Sequence, residues 1–87
     1  MYLIVIYDVE SKRCKKLHKY LKSQLTWVQN SVFEGEVTEA QYKIIKNELK
    51  KKIQKDSDSV IFYNLGNQKW LDREVLGLEK NEVTNMI

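Results

Sequence analysis

The chain has 87 residues, of which 43% are hydrophobic and 31% are charged, with a net charge of +3 and a single cysteine. This composition is typical of one small globular domain and not of a disordered chain. One cysteine excludes an intramolecular disulfide and a cysteine-rich zinc module, and no apolar stretch approaches the roughly 20 residues of a membrane helix. We therefore expect a cytoplasmic protein, and its small size favours association with a second copy.

The first predicted elements are a strand and a basic helix. Residues 2–9 begin with the apolar run YLIVIY, which predicts a buried strand with Asp8 at its end. Ser11 is the predicted N-cap of the helix that follows. The residues that recur with helical spacing on one face of this helix are Cys14, Leu17, His18, Leu21 and Leu25.

The middle of the chain predicts a hairpin and a second helix. Residues 25–33 (LTWVQNSVF) are rich in β-branched and aromatic residues, which favours a second strand. The EGE sequence at 34–36 is the predicted turn, and residues 36–37 return as a short third strand. Thr38 and Gln41 form a capping box that opens the second helix. Its apolar face consists of Tyr42, Ile45, Leu49 and Ile53.

The last third of the chain predicts two more strands, SVIFYNL at 59–65 and KWLDREVLGL at 69–78. The resulting order is β-α-β-β-α-β with an extra C-terminal strand. This order is the ferredoxin-like α+β sandwich, in which two helices cover one face of an antiparallel sheet. The extra strand is expected at an edge of its own sheet or on a partner's sheet. We predict one domain over residues 1–78 and a flexible tail over residues 79–87.

Asp8 is the first candidate for chemistry, because a rigid strand holds its carboxylate at a fixed point. The simpler interpretation of an aspartate after a strand is an exposed turn former. One carboxylate is a poor metal site, but a two-fold axis would bring two of them around one Mg²⁺. His18 and Cys14 lie on the apolar helix face and are interpreted as packed residues, not as catalytic groups.

Twelve of the fifteen basic residues lie in two stretches, 12–22 and 43–55, which together contain only one acid, Glu48. A solvated helix face is the simpler interpretation of either stretch. Because both helices cover the same sheet face, their charges add to one basic surface, which favours contact with nucleic-acid backbones over base readout. The strand aromatics are expected in the core or a dimer interface rather than stacked on bases. They are Trp27, Phe33, Phe62, Tyr63 and Trp70.

Several of these motifs together resemble the CRISPR-associated Cas2 family. They are YDV at the end of the first strand, the basic helix after it, VQNSVFEGEVT, the helix start EAQY, SVIFYNL and EVLGLE. The resemblance extends over about residues 2–78. The chain departs from it at Trp27, where many relatives carry an arginine before VQ, and at Lys12 and Arg13, which replace a double arginine.

The resemblance implies a ferredoxin-like homodimer whose last strand crosses to the partner's sheet. It implies that Asp8 of each protomer is the catalytic residue and that the two aspartates meet near the dimer axis to bind Mg²⁺. Ser31 and Phe33 match the second-strand motif of the family. The residues expected to contact nucleic acid are Tyr7, Lys12, Arg13, Lys15, Lys16 and Lys19.

The sequence is consistent with three functions. The first is a Mg²⁺-dependent endonuclease of spacer acquisition that cleaves RNA or double-stranded DNA, binds duplex DNA and bridges the CRISPR integrase. The second is a non-catalytic adaptor that binds duplex DNA and the integrase. The third is a toxin-like RNA nuclease of related fold. The expected partners are a second copy of the chain, duplex DNA or single-stranded RNA, and the CRISPR integrase, with no membrane.

Overall fold

The computed structural model describes residues 1–66 and 72–79 and folds them as an α+β sandwich. Five strands form one sheet in the order β2-β3-β1-β4-β5, and all neighbouring strands are antiparallel. The predicted ferredoxin-like order is therefore confirmed, with β5 added beside β4. The elements are β1 (Tyr2–Asp8), α1 (Ser11–Gln24), β2 (Thr26–Gln29), β3 (Val32–Glu36), α2 (Glu39–Lys52), β4 (Ser59–Leu65) and β5 (Asp72–Gly77).

The hairpin turn lies earlier in the chain than the sequence predicts. It is formed by Asn30 and Ser31, between β2 and β3, whereas the EGE sequence at 34–36 ends β3. Asn30 has a φ of 44°, in the left-handed region that asparagine tolerates better than most residues. The single strand predicted over 25–33 is therefore wrong, because the chain reverses within it.

Gly35 serves packing instead of a turn. It pairs with Leu3 inside the sheet, and a Cβ at this position would lie 3.1 Å from Cδ2 of Leu25. The missing side chain lets the buried Leu25 pack directly against the strand.

The two helices begin differently. Ser11 is the first residue of α1 and not its cap, because the N-cap is Glu10, whose side chain makes no capping hydrogen bond. In α2 the predicted capping box is confirmed. The Gln41 N–H donates to Oγ1 of Thr38 at 3.1 Å, and the Thr38 N–H donates to Oε1 of Gln41 at 2.8 Å.

The core lies between the two helices and one face of the sheet. Burial alternates along β1, where Leu3, Val5 and Tyr7 face the helices. Because side chains alternate across a strand, Asp8 lies on the opposite face, which we call the open face. The buried hydrophobic residues are Leu3, Val5, Tyr7, Leu17, Leu21, Leu25, Phe33, Val37, Tyr42, Ile45, Leu49, Val60 and Phe62. Neither helix of the described residues has the length and hydropathy needed to span a bilayer.

The last strand, β5, extends the sheet of its own chain. It pairs with β4 from Ser59 opposite Gly77 to Asn64 opposite Asp72. The resemblance implies that the last strand crosses to a partner's sheet. In this structure β5 lies instead at an edge of its own sheet, which is the alternative that the sequence left open. The predicted beginning of the strand, which includes Trp70, and the predicted tail after Glu79 lie outside the described residues.

A polar contact ties β5 to α2. The Tyr42 hydroxyl donates to Oε1 of Glu74 at 3.0 Å, and Nζ of Lys46 donates to Oε2 of the same carboxylate at 2.7 Å. Burial and the neighbouring carboxylate both raise the pKa of Tyr42, so its hydroxyl stays a hydrogen-bond donor. The contact gives β5 a fixed place over the second helix.

Candidate functional site

Asp8 ends β1 on the open face of the sheet. Its backbone pairs with Ser59 of β4, and its side chain is exposed. Only Val9 and Glu10 separate it from the first residue of α1. The strand therefore places the predicted catalytic carboxylate at a sheet end, beside the beginning of the first helix.

A row of aliphatic side chains crosses the open face next to Asp8. Ile6 pairs with Val32 on one side and with Ile61 on the other, and Ile61 pairs with Val75. All four side chains are only partly buried, because both helices pack on the other face. We call these residues the open-face row. Asp8 lies two residues beyond Ile6, which is about 7 Å along the strand.

The described part of the chain contains no cluster of metal-ligating side chains. Within residues 1–66 and 72–79, no group of three or more His, Cys, Asp or Glu side chains is placed to hold a metal ion. Mg²⁺ is commonly held by one or two protein carboxylates, with water and phosphate oxygens as the other ligands. The exposed Asp8 carboxylate supplies oxygen ligands of the kind that Mg²⁺ takes.

The connection from Asp8 to α1 is held by a buried carboxylate that the sequence analysis did not single out. Asp58 is 0% exposed. It accepts hydrogen bonds from the Glu10 N–H at 3.1 Å and from the Gln54 N–H at 2.8 Å. Nε and Nη2 of Arg13 donate to the same carboxylate, the second at 3.0 Å. Asp58 thus fixes the backbone two residues after Asp8.

Arg13 is occupied by protein groups. Besides Asp58, its Nη2 contacts Oε1 of Glu10 at 2.6 Å and the Ser57 hydroxyl at 3.2 Å, and its side chain is 15% exposed. The Arg13 guanidinium and the two backbone N–H groups hold the pKa of Asp58 well below its usual range. Arg13 is a predicted nucleic-acid contact, but in the structure its guanidinium is bound to Asp58. Arg13 and Asp58 are 45 residues apart, so no local motif indicates the pair.

The other motif residues are Tyr7, which directly precedes Asp8, and Ser31 and Phe33 of the neighbouring hairpin. Tyr7 is 6% exposed and stacks on the fully buried Phe33, with ring centroids 6.3 Å apart. Burial raises the pKa of the Tyr7 hydroxyl. Ser31 lies in the hairpin turn and Phe33 in β3, so the predicted second-strand motif spans a turn. The Ser31 carbonyl accepts from the Tyr7 N–H at 3.2 Å, which anchors the end of β1.

The predicted basic surface is present on the helical layer. Lys12, Lys15, Lys16 and Lys19 are exposed on α1. None of these four lysines takes part in the ion pairs formed among the described residues. On α2, by contrast, Lys46 pairs with Glu74 and Lys52 with Glu48. Lys43, Lys50, Lys51 and Lys55 of the second basic stretch are likewise exposed and outside these ion pairs, so both stretches contribute lysines that a polyanion can reach.

His18 and Cys14 are packed, as the sequence predicts. His18 is partly buried, and its ring meets Phe33 edge to face with centroids 5.1 Å apart. Sγ of Cys14 lies 3.7 Å from the Val9 carbonyl oxygen.

Comparison with known proteins places these features in one family. The family model described as "CRISPR associated protein Cas2" matches residues 1–73. A Pyrococcus furiosus protein named CRISPR-associated endoribonuclease Cas2 is 52% identical over 87 residues, which cover 100% of both chains. A protein of the same name from Methanothermobacter thermautotrophicus is 47% identical over 81 residues, which are 93% of this chain and 89% of the relative.

Solved structures agree with this result. A structure titled "Crystal structure of cas2" matches with a TM-score of 0.73 and 43% identity, over 95% of this chain and 93% of the other. The Streptococcus pyogenes Cas2 structure matches with a TM-score of 0.70 and 39% identity, over 76% of this chain and 87% of the other.

The Asp58 cluster generates a prediction for stability. Asp58→Asn removes the charge that Arg13 and two backbone N–H groups contact, so the free energy of unfolding at pH 7 should fall by about 1.5–3 kcal/mol. Because folding lowers the pKa of Asp58, its contribution is complete above the unfolded pKa of about 3.9 and is lost as the pH falls below it.

Urea unfolding at pH 7, 5 and 3 measures this effect. The wild-type protein should lose stability more steeply than Asp58→Asn as the pH falls from 5 to 3. Asp56→Asn, at an exposed position in the same connection, is the matched control and should follow the wild type. Equal pH dependence of wild type and Asp58→Asn would contradict the prediction.

Proposed function

This chain belongs to the CRISPR-associated protein Cas2 family, and we propose that it is a metal-dependent endonuclease that hydrolyses the phosphodiester backbone of RNA or double-stranded DNA. Relatives that are 45–52% identical over the whole chain are named endoribonucleases. The observation that carries the proposal is the position of Asp8, exposed at the end of β1 beside the open-face row.

The active form in this proposal is a homodimer joined through the open face. Aliphatic side chains that lie partly exposed on a sheet face favour burial, at about 25 cal/mol for each Å² of apolar surface removed from water. A two-fold axis near Ile6 would pack the open-face row of one copy on that of the other. The same axis brings the two Asp8 carboxylates together, and their mutual repulsion favours a cation between them.

Mg²⁺ is the proposed cofactor, held by Asp8 of both protomers. When bound, the ion polarises a phosphate oxygen and lowers the pKa of a water molecule. The chain's own groups position the carboxylate from both sides. The Tyr7 N–H is bound to the Ser31 carbonyl before Asp8, and the Glu10 N–H is bound to Asp58 after it. Lys12, exposed in the first turn of α1, is the first lysine after Asp8 and is proposed to contact a phosphate.

A second function is favoured by the position of the lysines. They lie on the helical layer, whereas Asp8 lies on the opposite face of the sheet. Lys16 and Lys19 line a groove between the helices together with Lys52. Duplex DNA bound there would not need Asp8. The protein would then act as a non-catalytic adaptor that holds duplex DNA for the CRISPR integrase during spacer acquisition. No separate observation favours the toxin-like RNA nuclease.

The nuclease proposal predicts that Asp8→Asn abolishes cleavage. Asparagine keeps the shape of the side chain but removes the charge that binds the cation, so cleavage should fall by about 100-fold or more. The measurement is cleavage of labelled RNA and of labelled duplex DNA in the presence of Mg²⁺. Removal of Mg²⁺ with EDTA should have the same effect. Asp56→Asn is the control, and cleavage by Asp8→Asn at the wild-type rate would reject the role of Asp8.

The adaptor proposal predicts that charge reversal on α1 weakens duplex binding. Lys12→Glu with Lys16→Glu should lower the affinity for a duplex and should reduce the slope of log K against log salt by about 2. Arg13 is left unchanged because it holds Asp58. Asp8→Asn should bind the duplex as the wild type does, and Lys55→Glu is the control for a general loss of positive charge. A duplex affinity that survives the α1 reversals would rule out this surface.

A further inference from the structure

Trp27 is an exposed aromatic residue held in a fixed position. The sequence predicts it in the core or in a dimer interface, but its side chain is 48% exposed. Its Nε1 donates to the Asn30 carbonyl at 3.0 Å. Its ring meets His18 edge to face, with centroids 5.2 Å apart and an interplanar angle of 75°. The indole is thus braced by the turn and by α1 while about half of it faces solvent.

Trp27 does not belong to the open face. It pairs across the hairpin with Phe33, and directly paired residues share one face of the sheet. Phe33 is fully buried beneath the helices, so Trp27 lies on the helical side, at the β2 edge of the sheet. A dimer formed through the open face therefore does not cover this indole.

A groove of about 590 Å³ lies along α1 beside this indole. His18 joins the two, because it lines the groove and contacts the Trp27 ring. Three lysines of α1 line the same groove at spacings of four and three residues, which places them in one line on the helix. The line is about 10 Å long, and no acidic side chain lines the groove. These lysines are Lys15, Lys19 and Lys22.

We propose that the groove and Trp27 bind a single-stranded polynucleotide, with phosphates along the three lysines and one base stacked on the exposed face of the indole. A line of cations beside an accessible aromatic ring is the combination by which proteins hold single strands. The bases of a duplex are already stacked on each other, so a duplex offers no base to Trp27. The inference rests on the proposed function in taking nucleic acid as the ligand, and it adds the residues that hold a single strand.

The test is equilibrium binding of a labelled oligouridine of about 12 nucleotides, within the range of site sizes of small single-strand-binding domains, and of a labelled duplex of the same length. Asp8→Asn serves as the parent protein and EDTA is present throughout, so that cleavage does not interfere. Trp27→Ala should weaken oligouridine binding by about 5- to 100-fold and should leave duplex binding unchanged. Trp27→Leu, which keeps an apolar contact with His18, should lose as much, whereas Trp27→Phe should keep most of the affinity.

Val28→Ala is the matched control, because Val28 follows Trp27 in β2 and is 47% exposed, close to the 48% of Trp27. It should bind oligouridine as the parent does. Lys22→Ala should weaken oligouridine binding and reduce its salt dependence. Thermal unfolding of each variant shows whether a loss of binding reflects a loss of folded protein. If Trp27→Ala does not fold, the oligouridine affinities of Trp27→Leu and Trp27→Phe show whether an aromatic ring is needed.

Three results would overturn the inference. They are an unchanged oligouridine affinity in folded Trp27→Ala or Trp27→Leu, an equal loss in Val28→Ala, and an equal loss for oligouridine and duplex. The proposed nuclease fails separately. If Asp8→Asn cleaves like the wild type while Trp27→Ala binds oligouridine weakly, the nuclease role of Asp8 is rejected and the single-strand site stands. If Asp8→Asn is inactive and Trp27→Ala binds normally, the reverse holds.

Discussion

The open-face row is the feature on which the proposed chemistry depends. Both helices pack on one side of the sheet, where they bury Leu3, Val5 and Tyr7, and strand alternation sends Ile6 and Asp8 to the other side. An aliphatic row there favours a second copy of the chain. The strand that supplies Ile6 to this contact also supplies Asp8, so one association would both cover the apolar row and pair the carboxylates.

The separation of the two faces also separates the two proposed activities. Asp8 lies on the open face, while the α1 lysines and Trp27 lie on the helical side. The Arg13–Asp58 cluster joins them, because it binds the first turn of α1 to the residue two positions after Asp8. Loosening this cluster would disturb the carboxylate and the first lysines together. In the proposed function, binding of nucleic acid on the helical side would therefore not require cleavage at Asp8.

Much of the fold was predictable because its signals are local. Each of these signals involves residues that are close together in the sequence. They are the apolar run of β1, the helical spacing in α1 and the Thr38–Gln41 capping box. The hairpin was misplaced because Asn30 turns the chain within a run of β-branched residues, whereas Gly35 in the EGE sequence looks like a turn but serves packing. The end of the apolar run also placed Asp8 correctly at the end of β1. It could not find the role of Asp58, because that role depends on a contact 45 residues away.

Metal stoichiometry tests the pairing of Asp8 most directly. Titration of the purified protein with Mn²⁺ as a spectroscopic substitute for Mg²⁺, together with sedimentation measurements of its mass, gives the number of ions for each chain. Two copies that share a site through the open face should form a dimer with one ion for two chains, and Asp8→Asn should remain a dimer and lose the ion. A monomer that cleaves RNA, or a site that holds one ion in each chain without Asp8, would contradict the shared site.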